Sequence, residues 1–404
     1  MSALTEIYTK INNRILFDNK KKYPSPHDQM AYMESFPEPR NEVERSYFKY
    51  RCLMYCSYSK KQRFIVNLIS FFALAVLVPL FRIKGLRCDQ AMRNYQPKDL
   101  LLRKAATRIP IQDIFPDKLM QLQKNTVDYP GVPYFHLFIT RDAFSLFGNA
   151  WRKHPFHFHY LMVIFVRLSQ ACYLLQKYSP AAITTYVCER EFADCLLTEF
   201  YENHGIQYHG FMHGDFLRTI DQAFMHLTKY WVWAEEYKEM FQSLRGSYQI
   251  EVYTPGKYSG IVVPRSSAEA YDYYATYYFS NESEESLIKV RDALMKLTKQ
   301  GHRCKVRAHP RFSNLELIRK AFKNEIDIED NANMTIEQSL ECTYYSIALM
   351  STVLSQAYHS GKKIVIDDIS DPEKFELLRE EGYILIDKSD ILFSQLVNQK
   401  ESVQ

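Results

Sequence analysis

A chain of 404 residues exceeds one ordinary hydrophobic core, so two domains of similar size, or one domain with large additions, is the expectation. With 47% hydrophobic and 24% charged residues, and 30 Tyr and 26 Phe against 12 Gly, it has globular composition and ample core formers, which excludes bulk disorder. A net charge of +4 is too mild for the basic stripe of nucleic-acid binders, yet it suits a nucleotide-type ligand or an anionic membrane surface.

Residues 1–63 mix Lys, Pro, Tyr and Glu, and the Pro-containing runs Tyr23-Pro24-Ser25-Pro26 and Phe36-Pro37-Glu38-Pro39 interrupt any periodic pattern. This predicts an irregular or loosely helical extension. Its first part, Met1 to Lys22, is polar and lacks the apolar stretch of a signal peptide. The eight cysteines are scattered without paired metal-ligand spacing, which reads as reduced thiols of a cytoplasmic protein.

Ile65 to Phe81 carries no charge and lies between Lys60, Lys61 and Arg63 on one side and Arg82, Lys84 and Arg87 on the other. At about 1.5 Å per residue it reaches roughly 25 Å, short for a spanning helix. Two readings follow: a buried core helix or helix-strand pair, or an in-plane or re-entrant contact with the inner face of the cytoplasmic membrane, held by its basic flanks.

From His154 to Gly214 the periodicity becomes regular. An apolar helix over Phe158–Leu175 is followed by a β-branched strand at Ala182–Val187, a helix at Glu191–Tyr201 and a strand at Ile206–Met212 that stops at His213-Gly214-Asp215. This is a β-α-β unit, so ligand groups are expected at the strand C-termini. A strand at Tyr230–Ala234 and a helix at Glu235–Leu244 complete a domain over 64–250, and the boundary falls where helical periodicity is lost, near Gly246 to Pro264.

The remainder, 251–404, predicts a second doubly wound domain. It alternates helices (284–300, 314–322, 336–340, 353–359, 372–380 and 389–398) with strands (304–308, 326–328, 344–350, 364–367 and 383–386).

Candidate chemistry gathers at strand ends. Ser351-Thr352 opens a helix after a strand, where free N–H groups, the helix dipole and two hydroxyls suit a phosphate; the plain alternative is an ordinary N-cap. His309-Pro310 ends another strand, with Arg307 and Arg311 beside it, and guanidinium groups suit phosphate or carboxylate. His213 or Asp215 could act as a base toward an acceptor hydroxyl, with Gly214 permitting close approach. Glu189 and Glu191 are secondary acid-base candidates, and acidic residues also favour a helix start. Asp367-Asp368 reads as a turn, or as a ligand for a sugar hydroxyl or metal. His154, His157 and His159 lack a complete zinc ligand set, and no metal or cofactor is expected.

Two doubly wound halves, His213-Gly214 at one strand end, His309-Pro310 at another and Ser351-Thr352 opening a helix resemble the GT-B glycosyltransferases of bacterial surface polysaccharides. The His-Pro and Ser-Thr pair is similar to that of bacterial sialyltransferases and capsule polymerases, and to that of the polyol-phosphate transferases of teichoic acid synthesis. The resemblance rests on short motifs between about residues 180 and 390. It implies two Rossmann-type domains facing across a cleft, with His309, Ser351 and Thr352 on a cytidine nucleotide and its phosphate. The Asp/Glu-Asp/Glu-Gly motif of the sialyltransferases has no clear match; His213-Gly214 is closer to the polyol-phosphate group but lacks that group's preceding Trp.

The expectation is therefore a metal-independent glycosyltransferase taking a nucleotide-sugar donor and a glycan or glycolipid acceptor. The alternatives are transfer of a polyol phosphate from a CDP-linked donor, and a non-catalytic module of a polysaccharide assembly complex.

Overall fold

The structure, a computed structural model, describes residues 24–103, 121–127, 134–185, 191–212, 214–246, 249–253, 267–323, 325–329 and 332–399. Glu189 and His213 lie outside the described residues. The chain divides into two compact units: Met1–His213 with Arg218–Tyr253, and Gly214–Leu217 with Thr254–Gln404.

The first unit opens with helices α1 (Pro26–Glu34), α2 (Glu42–Ser57) and α3 (Lys60–Arg93). The segment expected to be irregular or loosely helical thus contains two formed helices. Ser25 caps α1 by accepting from the Asp28 amide, and Asn41 caps α2 by accepting from the Glu44 amide. The α2 helix is tied inward by Lys49, fully buried, whose ammonium donates to the Ala223 carbonyl at 3.3 Å.

Strands β1 (Asp99–Arg103) and β2 (Gln123–Val127) follow, then helices α4 (Arg141–Lys153) and α5 (Phe158–Tyr178), β3 (Pro180–Thr185), α6 (Asp194–Glu202), β4 (Gln207–Phe211), β5 (Lys229–Val232), α7 (Glu235–Ser243) and β6 (Ile250–Val252). Among the described residues the six strands form one sheet in the order β2-β1-β3-β4-β5-β6, every neighbouring pair parallel.

The second unit contains β7 (Tyr273–Tyr278), α8 (Glu284–Lys299), β8 (Cys304–Arg307), α9 (Leu315–Phe322), β9 (Asp327–Glu329), α10 (Ile336–Glu341), β10 (Thr343–Ala348), α11 (Thr352–His359), β11 (Lys363–Ile366), α12 (Pro372–Glu380), α13 (Ile384–Lys388), β12 (Ile391–Leu392) and α14 (Phe393–Asn398). Its sheet, again parallel, has the order β12-β11-β10-β7-β8-β9. The two-residue period of the strands separates two cores. Ala275, Tyr277, Val306, Ile347 and Val365 pack with α8, α9 and α14 on one face. Tyr278, Ala348, Ile364 and Ile366 pack with α11 and α12 on the other.

Both units are doubly wound Rossmann-type folds, as a GT-B-like chain requires. One element is corrected. The strand expected at Tyr383–Ile386 is α13, with β12 lying just beyond it and α14 starting only at Phe393. Tyr383 and Leu385 are both buried, an alternating trace that a short helix packed on the sheet also produces.

Candidate functional site

The second sheet starts in its middle. From β7 the chain lays down β8 and β9 on one side, then returns to place β10, β11 and β12 on the other. The winding reverses between β7 and β10, and the C-terminal ends of those strands therefore flank the crevice where open α/β sheets take ligands. Three segments meet this edge: Phe279–Ser283 after β7, His309–Ser313 after β8, and Leu349–Thr352 after β10.

Ser351 has an extended backbone, and its hydroxyl accepts from the Val353 amide at 3.3 Å, so it is the N-cap of α11, with Thr352 the first helical residue. The cap and the anion-binding reading coexist, because one hydroxyl satisfies one of several free N–H groups. Gly214 approaches this turn so closely that an added Cβ would lie 3.5 Å from Thr352 Cγ2. The next residue, Asp215, accepts a short hydrogen bond from the Ser355 hydroxyl in the first turn of α11. Gly214–Leu217 is thus part of the second unit, where Leu217 packs on the α11 and α12 core. Asp215 fixes this segment to the helix through its hydrogen bond to Ser355.

Tyr383, 1% exposed, adjoins the same group and was not singled out from the sequence. Burial raises its phenol well above the usual range, and the Asp215 charge acts in the same direction.

His309 sits two strands away, half-buried. Its Nδ1 accepts from the Arg311 amide at 3.0 Å and the Phe312 amide at 3.3 Å, and its ring stacks on Phe312 with centroids 4.5 Å apart. With Nδ1 accepting, the neutral ring carries its proton on Nε2, a donor suited to an anion. Burial, then the Arg311 charge, lowers the imidazole pKa, so the ring is neutral at physiological pH. The loop is held by Ser313, which accepts from the His309 amide at 2.7 Å and donates to the Ser280 carbonyl at 2.8 Å. Pro310 and Arg311 are exposed.

Arg307 is otherwise engaged. It is 7% exposed, its guanidinium makes a short ion pair with Glu329, and it donates to the Met334 carbonyl at 2.9 Å and the Thr335 carbonyl at 3.3 Å. Lys305 pairs with the same carboxylate, which also accepts from Ser339 at 2.8 Å. The anion-binding role expected of Arg307 is thus corrected to a structural one. Parallel register shows the reason, since Arg307 lies beside Glu329 across β8 and β9.

Glu191 is held by Arg167, whose Nη2 reaches both carboxylate oxygens at 2.7 and 2.8 Å. Asp367 is fully buried; it accepts from Tyr277 at 2.6 Å and from the Ile369 and Ser370 amides, which makes it a turn residue. Glu282, which the sequence did not flag, follows β7 and accepts from the Ser280 amide at 2.8 Å on both oxygens, while burial raises its pKa. Only placement after β7, at the reversal of strand order, marks it out.

Each of the two units is a parallel α/β sheet of the Rossmann type. No family model matches the chain, and no curated protein matches its sequence. Among solved structures it is similar to a glycosyltransferase from Rickettsia africae ESF-5, with 13% identity, TM-score 0.36, and 68% of this chain and 80% of that one covered. It is also similar to the wall teichoic acid polymerase TagF, with 12% identity, TM-score 0.39, and 84% of this chain and 89% of that one covered. A TagF variant soaked with CDPG aligns at 13% identity and TM-score 0.42, over 84% of this chain and 88% of that one.

Proposed function

We propose that this chain is a glycosyltransferase that moves a sugar from a nucleotide-activated, cytidine-linked donor to a hydroxyl of a bacterial surface glycan. The observation that carries the reading is the convergence of Ser351, Thr352 and the His309–Arg311 loop on the C-terminal edge of one parallel sheet, flanking its reversal of strand order. Donor phosphate sits at the free N–H groups of α11 and the Thr352 hydroxyl, with Nε2–H of His309 and the Arg311 guanidinium adding positive potential. Fixed dipoles of this kind stabilise the departing phosphate's charge as the glycosidic bond breaks. His213 or Asp215 is assigned the base that takes the acceptor proton. Asp215 also positions the Gly214–Leu217 segment.

Purified protein is mixed with CMP-, CDP- and UDP-linked donors and read by thermal stabilisation and nucleotide release. Stabilisation by cytidine nucleotides is expected; no response to any nucleotide overturns the reading. The location of Gly214 beside the phosphate-ready helix serves equally a transferase of polyol phosphate from a CDP-linked donor. Phosphorus appearing in the polymer selects that alternative. Binding without turnover under every donor and acceptor selects a non-catalytic module.

A further inference from the structure

We infer that α3 docks the first unit, in plane, on the surface of an anionic phospholipid bilayer. The helix carries two rows of residues spaced four apart. Gln62, Val66, Ser70 and Leu74 are buried and are continued by Phe81. Phe64, Leu68, Phe72, Val76 and Leu80 are exposed and are continued by Ile83 and Leu86. Rows offset by two residues stand about 200° apart around a helix, so the second row faces away from the protein. Val76 is 65% exposed, and within Lys60–Asp89 the most apolar stretch of 18 residues is only 22% buried.

Two further phenylalanines join this apolar strip. The Phe156 carbonyl accepts from Asn67 at 2.9 Å near one end of α3, and the Phe135 carbonyl accepts from Lys84 at 2.9 Å near the other. Their side chains are 77% and 71% exposed. A strip of this extent on a lone protein surface marks an interaction site.

Charge identifies the occupant. From Lys60 to Cys88 the helix contains no Asp or Glu, while Lys60, Lys61, Arg63, Arg82, Lys84 and Arg87 bracket the apolar run. Lys60, Lys61 and Arg87 are exposed. Cations at both ends of an apolar face match lipid headgroups on either side of inserted side chains, an arrangement that a protein partner does not require.

The buried row decides between lying on the membrane and crossing it. Phe81 accepts from the Ile139 amide at 3.1 Å, and a Cβ on Gly85 would come within 1.7 Å of the Ile139 carbonyl oxygen. At the other end Asn67 accepts from the His159 amide at 3.1 Å. Tied at both ends to the globular unit, α3 cannot leave it to span a bilayer and meets lipid from one side. The α5 helix, the other one of spanning length among the described residues, is mostly buried core.

Flotation of the full chain with vesicles of phosphatidylcholine, alone or mixed with phosphatidylglycerol, tests this without donor turnover. The wild type is expected to float with the anionic vesicles and to be released by salt. Phe72→Glu/Val76→Glu/Ile83→Glu is expected to lose binding by at least about tenfold. Lys60→Gln/Lys61→Gln/Arg87→Gln, changing only exposed side chains and so safe for folding, is expected to lose the preference for anionic vesicles. The inference is overturned by wild type that floats with neither vesicle, by resistance to alkaline carbonate extraction as for a spanning helix, or by a wild-type dimer that the apolar substitutions dissociate while no vesicle binds.

Discussion

His309 illustrates how one side chain can serve the fold with one atom and a ligand with another. Nδ1 caps the amides of Arg311 and Phe312, and Nε2 is the donor assigned to phosphate. Asn at this position can keep the cap through its side-chain oxygen but offers no equivalent of Nε2. His309→Asn is therefore expected to leave the melting temperature unchanged while weakening cytidine nucleotide binding about tenfold, the worth of one charge-assisted hydrogen bond, measured by calorimetric titration. Arg307 should behave in the opposite way. Removing it breaks one of Glu329's two buried ion pairs, leaving Lys305 and the Ser339 hydroxyl, so Arg307→Met is expected to destabilise the protein by about 3 kcal/mol in denaturant unfolding, with nucleotide binding retained at low temperature. The sequence showed both residues as cationic or polar strand-end groups. It could not show which face each one served, because that depends on the neighbouring strand's register.

Elements were legible where amphipathic period and flanking signals agreed. Helix α12 begins at Pro372 and ends at Glu380 as expected, with Asp371 as its cap, and α8 and β8 fall within a residue or two of their expected ends. Strand β7 was missed: Tyr273–Tyr278 is rich in tyrosine, and an aromatic run without alternating polarity carries no clear period. The β1 strand, Asp99–Arg103, is also brief, and its three consecutive leucines carry no two-residue alternation. The α3 helix runs through Pro79, where a sequence reading expects a break, because packing against α5 and the Ile139 segment holds it together and Pro79 lies on an exposed position. That packing is sensitive at Gly85. Gly85→Ala is expected to cost about 3 kcal/mol of stability by forcing the helix off Ile139. Gly148→Ala, whose added Cβ meets nothing within 4 Å inside α4, should be neutral or stabilising by up to about 1 kcal/mol. Thermal melts of the two variants compare these outcomes directly.

Across the molecule, buried histidines are concentrated in the first unit. Burial pushes the imidazoles of His159 and His209 down to about 4, and burial followed by the His157 charge does the same for His154. A base whose folded value lies below its unfolded value of about 6.5 binds its proton more readily when unfolded. Its stabilising contribution is complete above pH 6.5 and is lost as pH falls toward 4. For His159 and His209 this loss amounts to roughly 3 kcal/mol each as an upper bound. The first unit's calorimetric transition is therefore expected to fall between pH 7 and pH 5 ahead of the second's. His159→Phe, which cannot titrate, should recover part of that fall.

The four residues Gly214–Leu217 change what counts as a module in this chain. The second unit is assembled from two separated stretches, and its smaller piece is inserted between β4 and β5 of the first. A fragment beginning at Thr254 would lack Asp215 and Leu217, leaving the Ser355 hydroxyl without its carboxylate and part of the α11 core uncovered. Exchange of either half for that of another two-unit protein must carry this short insert with the C-terminal half. Otherwise the graft receives a phosphate-ready helix missing the strap that seats its first turn.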